Sequence, residues 1–71
     1  MLYAMDIEEL DVFRSIDWPA QSWLICVRIL RTDQDHVTHL VQHVDVDTGL
    51  PTEGSKTFEQ TFRSTEPVEI L

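Results

Sequence analysis

Residues 21–46, QSWLICVRILRTDQDHVTHLVQHVDV, decide the fold of this chain. Trp23, Ile25, Val27 and Ile29 alternate with Leu24, Cys26 and Leu30, so both faces are apolar and rich in strand formers, with only Arg28 interrupting. That pattern predicts a central strand over residues 21–31, buried on both sides. Thr32-Asp33-Gln34-Asp35 is turn chemistry. Residues 37–46 admit two readings. As a helix they place Val37, Leu40, Val41 and Val44 at i, i+3, i+4 and i+7, with Thr32 and Asp35 as a capping pair. As a strand they place Leu40, Val44 and Val46 on one face and Val37, His39, Val41 and His43 on the other. The β-branched content and a length matched to residues 22–31 favour the strand, and with it a hairpin.

Outward from the hairpin the signals are more divided. Asp6 followed three residues later by Glu9 reads as a helix N-cap, and Pro19 stops any continuation. A helix over residues 7–15 would bury Ile7, Leu10 and Phe13; the competing reading is a strand with Leu10, Val12, Ile16 and Trp18 on one face. Downstream, residues 47–51 read as a turn, with a polar loop continuing to Ser55. Residues 56–63 alternate, with Phe58 and Phe62 on one face, as a third strand would. Residues 67–71 suit a short edge strand, where Pro67 is tolerated. The expected fold is therefore α+β: a small antiparallel meander of three to four strands with one N-terminal helix, in a single small domain spanning residues 1–71. The alternative is a small all-β fold.

At 71 residues the chain makes at most one domain and leaves no room for (β/α)₈ barrels or dinucleotide-binding folds. Its hydrophobic content of 42% is that of a folded protein. Thirteen acids against five bases give a net charge of −8, which disfavours direct binding to nucleic acid or to an anionic membrane. Cys26 is the only cysteine, so no internal disulfide forms, and its apolar setting predicts a buried, inert thiol. The N-terminal stretch has no basic region and turns acidic by Asp6, unlike a signal peptide. No apolar run reaches the roughly 20 residues of a membrane span. A soluble cytoplasmic protein is expected.

Several short motifs fall short of their chemistry. Residues 49–57, GLPTEGSKT, nearly spell a P-loop, but Ser55 separates the second glycine from Lys56, and Glu53 would face the phosphates. Asp47-Thr48-Gly49 copies the catalytic triplet of retroviral-type aspartic proteases, yet Leu50 follows it, and Asp-x-Gly is ordinary turn chemistry. Asp45 to Gly49 resembles the opening of a calcium loop, with the glycine one place early and Lys56 where a glutamate is required. His39 and His43 would share a strand face about 13 Å apart, too far for one ion, so solvent-facing histidines are expected and no metal or cofactor. No Ser-His-Asp or Cys-His spacing stands out, so no catalytic residue is assigned.

These features point to a non-enzymatic interaction module. Its expected partner is a protein with a basic surface of the kind that binds nucleic acid, engaged through Asp6, Glu8, Asp11, Asp33, Asp35, Asp45 and Asp47. Small acidic inhibitors of host defence encoded by phages or plasmids are the general type, an analogy in size and charge. Trp18 and Trp23 are candidate anchors, since tryptophan is enriched at binding hot spots. The two-sided apolar strand predicts a homodimer. A structural or regulatory subunit acting through an apolar oligomerisation surface is the alternative.

Overall fold

The computed structural model describes residues 1–71. Seven strands run β1 (Leu2–Tyr3), β2 (Val12–Ser15), β3 (Trp23–Thr32), β4 (His36–Asp45), β5 (Leu50–Pro51), β6 (Phe58–Arg63) and β7 (Pro67–Ile70). The only helical element is a 3₁₀ turn at Ala4–Asp6. The fold is thus a small antiparallel sheet, and the all-β alternative describes it better than an N-terminal helix does.

The β3–β4 hairpin is the spine. Trp23 pairs with Val44, Leu24 with His43 and Cys26 with Val41 across the Thr32–Asp35 turn. On its other side β4 pairs with β6 from His36–Arg63 to Val41–Phe58, and with β5 at Val44 and Asp45. β2 pairs with β3 at Val12–Ile25 and Phe13–Leu24, and β7 lies between β2 and β1. In a flat sheet β2 and β6 would lie three strand spacings apart, about 14 Å. Instead the Phe13 and Phe62 rings meet edge-on with centroids 5.6 Å apart. The sheet therefore curls into a partly open barrel, and the chain passes from β6 at one edge to β7, next to the edge strand β1 on the other side, through the short turn at residues 64–66.

The barrel interior holds Phe13, Leu24, Cys26, Val37, Val41, Phe62 and Val68, with Ala4 and Ile7 from the N-terminal segment completing the cluster. Inward side chains alternate along β4 as Val37, His39 and Val41, the face expected of a strand.

Three expectations are corrected. The helix over residues 7–15 does not form. Leu10 takes a left-handed conformation (φ 73°), which interrupts any right-handed helix. Glu8 and Asp11 close a turn, with the Glu8 N–H donating to Asp11 Oδ2 and the Asp11 N–H to the Glu8 carbonyl. Asp6 caps backwards, accepting from the Tyr3 N–H, instead of opening a helix. The strand that follows turns Phe13 and Ser15 inward, leaving Val12 and Arg14 partly exposed.

The second correction concerns the two-sided burial of residues 21–31, which holds only for their first half. β2 stops pairing at Ile25, and β3 carries extra residues at Val27 and Leu30 that shift its faces relative to β4. Arg28–Thr32 continues as an arm beyond β2, with Ile29 and Leu30 each 38% exposed. Third, the segment after Asp47 is less irregular than expected. Gly49, at φ 72°, closes the turn, and Leu50–Pro51 returns as a two-residue strand beside Val44 and Asp45.

Candidate functional site

Three groupings of side chains carry chemistry. The first consists of the carboxylates. The Asp35 carbonyl accepts the Ser64 N–H at 2.8 Å, and the Ser64 carbonyl accepts the Met5 N–H at 3.1 Å. That ladder gathers Asp6 with Asp33 and Asp35 at the hairpin tip. Glu8 and Asp11 follow as the chain runs towards Cys26, whose N–H donates to the Asp11 carbonyl at 2.8 Å. Asp45 and Asp47 lie at the opposite end of the ten-residue strand β4, about 30 Å from the tip at strand rise. The seven predicted carboxylates are thus spread along the hairpin, with Asp6, Asp33 and Asp35 at its tip, Glu8 and Asp11 beside its middle, where Cys26 pairs with Val41, and Asp45 and Asp47 at its far end.

The molecule's two ion pairs, Arg14–Glu69 at 3.1 Å and Arg31–Glu59 at 3.9 Å, include none of these seven. Four of the seven instead accept backbone N–H groups. Asp33 takes both the Asp35 and the His36 amide, each at 2.8 Å, and these bonds hold its carboxyl below the usual range. Asp45 takes the Asp47 amide at 2.9 Å, and Asp6 and Asp11 serve as already described. Glu8, Asp35 and Asp47 have no side-chain partner within the protein.

The second grouping is buried and was not legible as a motif. Cys26 Sγ lies 3.1 Å from His39 Nδ1 across the β3–β4 hairpin. Pairing Cys26 with Val41 places His39 on the adjacent diagonal, so the hairpin register itself holds the signal that residue spacing lacks. His39 is 1% exposed, in place of the solvent-facing position expected of it. Phe13 and Phe62 flank its ring at 6.2 and 5.9 Å, and its Nε2 has no partner. Burial pushes the Cys26 thiol up to about 11, with Glu9 and Asp11 adding to the shift, while burial lowers the His39 pKa. Both groups are therefore neutral near pH 7. A protonated, inaccessible thiol is a poor nucleophile, and the pair acts as a packing unit of the core.

His36 and His43 are exposed, and no three His, Cys, Asp or Glu side chains are grouped to hold a metal ion.

The third grouping is a cleft of about 250 Å³ lined by Trp18, Pro19 and Ser22 from the β2–β3 loop, Leu24 from β3, His43 from β4, and Phe58 and Gln60 from β6. Trp18 is held in place against Phe13 and Phe62, at 6.4 and 5.8 Å. His43 and Phe58 form a tilted ring pair at 5.3 Å. The two tryptophans are placed differently. Trp18 is partly exposed at the cleft. Trp23 is buried, its Nε1–H donating to the Ala20 carbonyl and the Arg14 guanidinium lying 5.7 Å from its ring.

Searches against protein-family models, curated proteins and solved structures find no match. No helix is long and apolar enough to cross a membrane.

Proposed function

We propose that this protein is a small non-enzymatic binding module that sets its carboxylates against a basic, nucleic-acid-binding surface of a partner protein and so inhibits it. The observation that supports this reading is the set of seven carboxylates, none paired with a cation of the protein and six of them exposed. Asp6, Asp11, Asp33 and Asp45 are fixed in direction by the backbone amides they accept, so pairing with a partner would freeze little side-chain motion. A field of one sign steers a basic partner and repels nucleic acid, which is how an anti-defence inhibitor of phage or plasmid type would work in the cytoplasm.

The test begins with capture of a partner from the native host, followed by competition between this protein and nucleic acid for that partner. The unmodified protein displaces the nucleic acid. The double variant Asp33→Asn/Asp35→Asn requires about tenfold more protein at low salt, as expected for two charge pairs at a binding rim. Asparagine retains the acceptor oxygen of the Asp33 turn, and circular dichroism checks the fold. Equal displacement by variant and parent would reduce the hairpin-tip acids to solubilising surface.

One observation favours a second reading, a subunit that works through an apolar surface. Met1, Leu2, Ile16 and Leu71 are exposed around a hollow that also involves Val68 and Ile70. On this reading a second copy covers the hollow as a twofold homodimer. Light scattering then gives twice the monomer mass, and Ile16→Glu halves it. A monomer mass at tens of micromolar would remove this reading.

A further inference from the structure

We infer that the Trp18–Phe58 cleft is a receptor for one arginine side chain of a protein partner. The inference rests on the proposed engagement of a basic partner and names the subsite that would read it. At about 250 Å³ the cleft is smaller than the roughly 300–1,000 Å³ of small-molecule pockets, and it suits a single side chain. Its walls are aromatic: the Trp18 indole on the loop side, and the tilted pair of His43 and Phe58 rings on the sheet side, with Leu24 also lining it. Aromatic faces carry negative potential and attract a cation, guanidinium above all, because a planar group can also stack.

The remaining polar groups fit the same guest. Ser22 and Gln60 are also among the lining residues of this mainly apolar cleft, and neither side chain has a hydrogen-bond partner within the protein. Both offer acceptor oxygens, and a guanidinium offers only donors. Asp17 follows Ile16 and precedes Trp18, exposed and unpaired; Asp45 lies two residues beyond His43 on β4, also exposed. No cation lines the cleft; Arg63, three residues beyond Gln60, falls on the opposite face of β6 by strand alternation. Arg14 donates to the Trp18 carbonyl at 2.8 Å, but its charge is met by Glu69. Lys56, two residues before Phe58, is exposed and does not line the cleft. With the protein at −8, an anionic guest is disfavoured and a cationic one is drawn in.

The test is a two-dimensional NMR titration of the full chain, near neutral pH, with Nα-acetyl-arginine methylamide. Its citrulline and norleucine counterparts serve as the neutral polar and neutral apolar probes. The expected result is a saturable set of shifts centred on the Trp18 indole, His43, Phe58 and Gln60, with both neutral probes binding about fivefold more weakly or worse. Trp18 packs on the core, so the diagnostic variants are Phe58→Leu, which keeps apolar bulk, and Gln60→Leu. Each weakens arginine binding, whereas Asp33→Asn/Asp35→Asn leaves it unchanged.

Norleucine binding as tightly as arginine would overturn the inference in favour of an apolar groove. Shifts confined to the carboxylates, with the cleft silent, would overturn it in favour of diffuse charge attraction. Either result leaves the nucleic-acid competition to stand or fall on its own, because that experiment reads the hairpin-tip acids and not the cleft.

Discussion

Replacing Phe13 with alanine is expected to leave a chain with little or no cooperative unfolding at room temperature. Phe13 is fully buried and is the hub of the interior, with Trp18, His39 and Phe62 all within 6.4 Å of its ring. Truncating a buried phenylalanine costs about 3–5 kcal/mol. A chain of this length has roughly 4–10 kcal/mol to lose at the usual stability per residue. No disulfide offsets the loss, since Cys26 is free. The ring also holds two distant strands together, because its edge-on contact with Phe62 joins β2 to β6 across the curled sheet. Urea titration followed by circular dichroism measures the effect. A loss below about 1 kcal/mol would mean that Phe13 does not sit in a close-packed interior.

The second large effect is acid destabilisation through His39. Burial lowers its pKa in the folded protein, and its Nε2 has no partner to receive a proton's charge. The folded state therefore binds the proton less readily than the unfolded state, whose histidine titrates near 6.5. The stabilising contribution of neutral His39 is fully present above that value. As pH falls below it, the contribution is lost at no more than about 1.4 kcal/mol per pH unit, until the folded-state pKa is reached. Asp33, also lowered, acts in a separate window below the usual carboxylate range. Protonation of surface acids works in the opposite direction by relieving the charge of −8, so the informative quantity is a difference between proteins. His39→Leu keeps an apolar group of similar bulk and removes the titration. Between pH 7 and pH 5 the melting temperature of the parent should fall relative to that of this variant. Parallel pH profiles would show that His39 protonates without cost.

The parts of the fold legible in the sequence were those with strong periodicity over many residues. The β3–β4 hairpin, β6 with Phe58 and Phe62 inward, and β7 beginning at Pro67 all follow from alternation and turn chemistry. Residues 7–15 misled because local capping signals compete there with a tertiary effect. The Leu10 N–H finds the Cys26 carbonyl, and this long-range bond pins a left-handed residue in the middle of the predicted helix. The shift of faces along β3 was hidden for a related reason: its extra residues at Val27 and Leu30 leave composition unchanged while reversing the faces of the side chains between them.

The candidate sites divide along the same line. The acids were visible one by one, but their distribution along the hairpin depends on long-range backbone bonds, from Ser64 to Asp35 and Met5 and from Cys26 to Asp11. The aromatic cleft joins a loop to three strands of the curled sheet, and no local pattern links Trp18 to Phe58.

The most direct test of the functional account is the salt dependence of the association rate with the captured partner, measured by stopped flow from low to moderate ionic strength. The account predicts a rate that falls steeply with salt, and a flatter slope for a variant carrying Asn at positions 33, 35, 45 and 47, with dissociation much less affected. An association rate indifferent to salt, and equal for parent and variant, would contradict it.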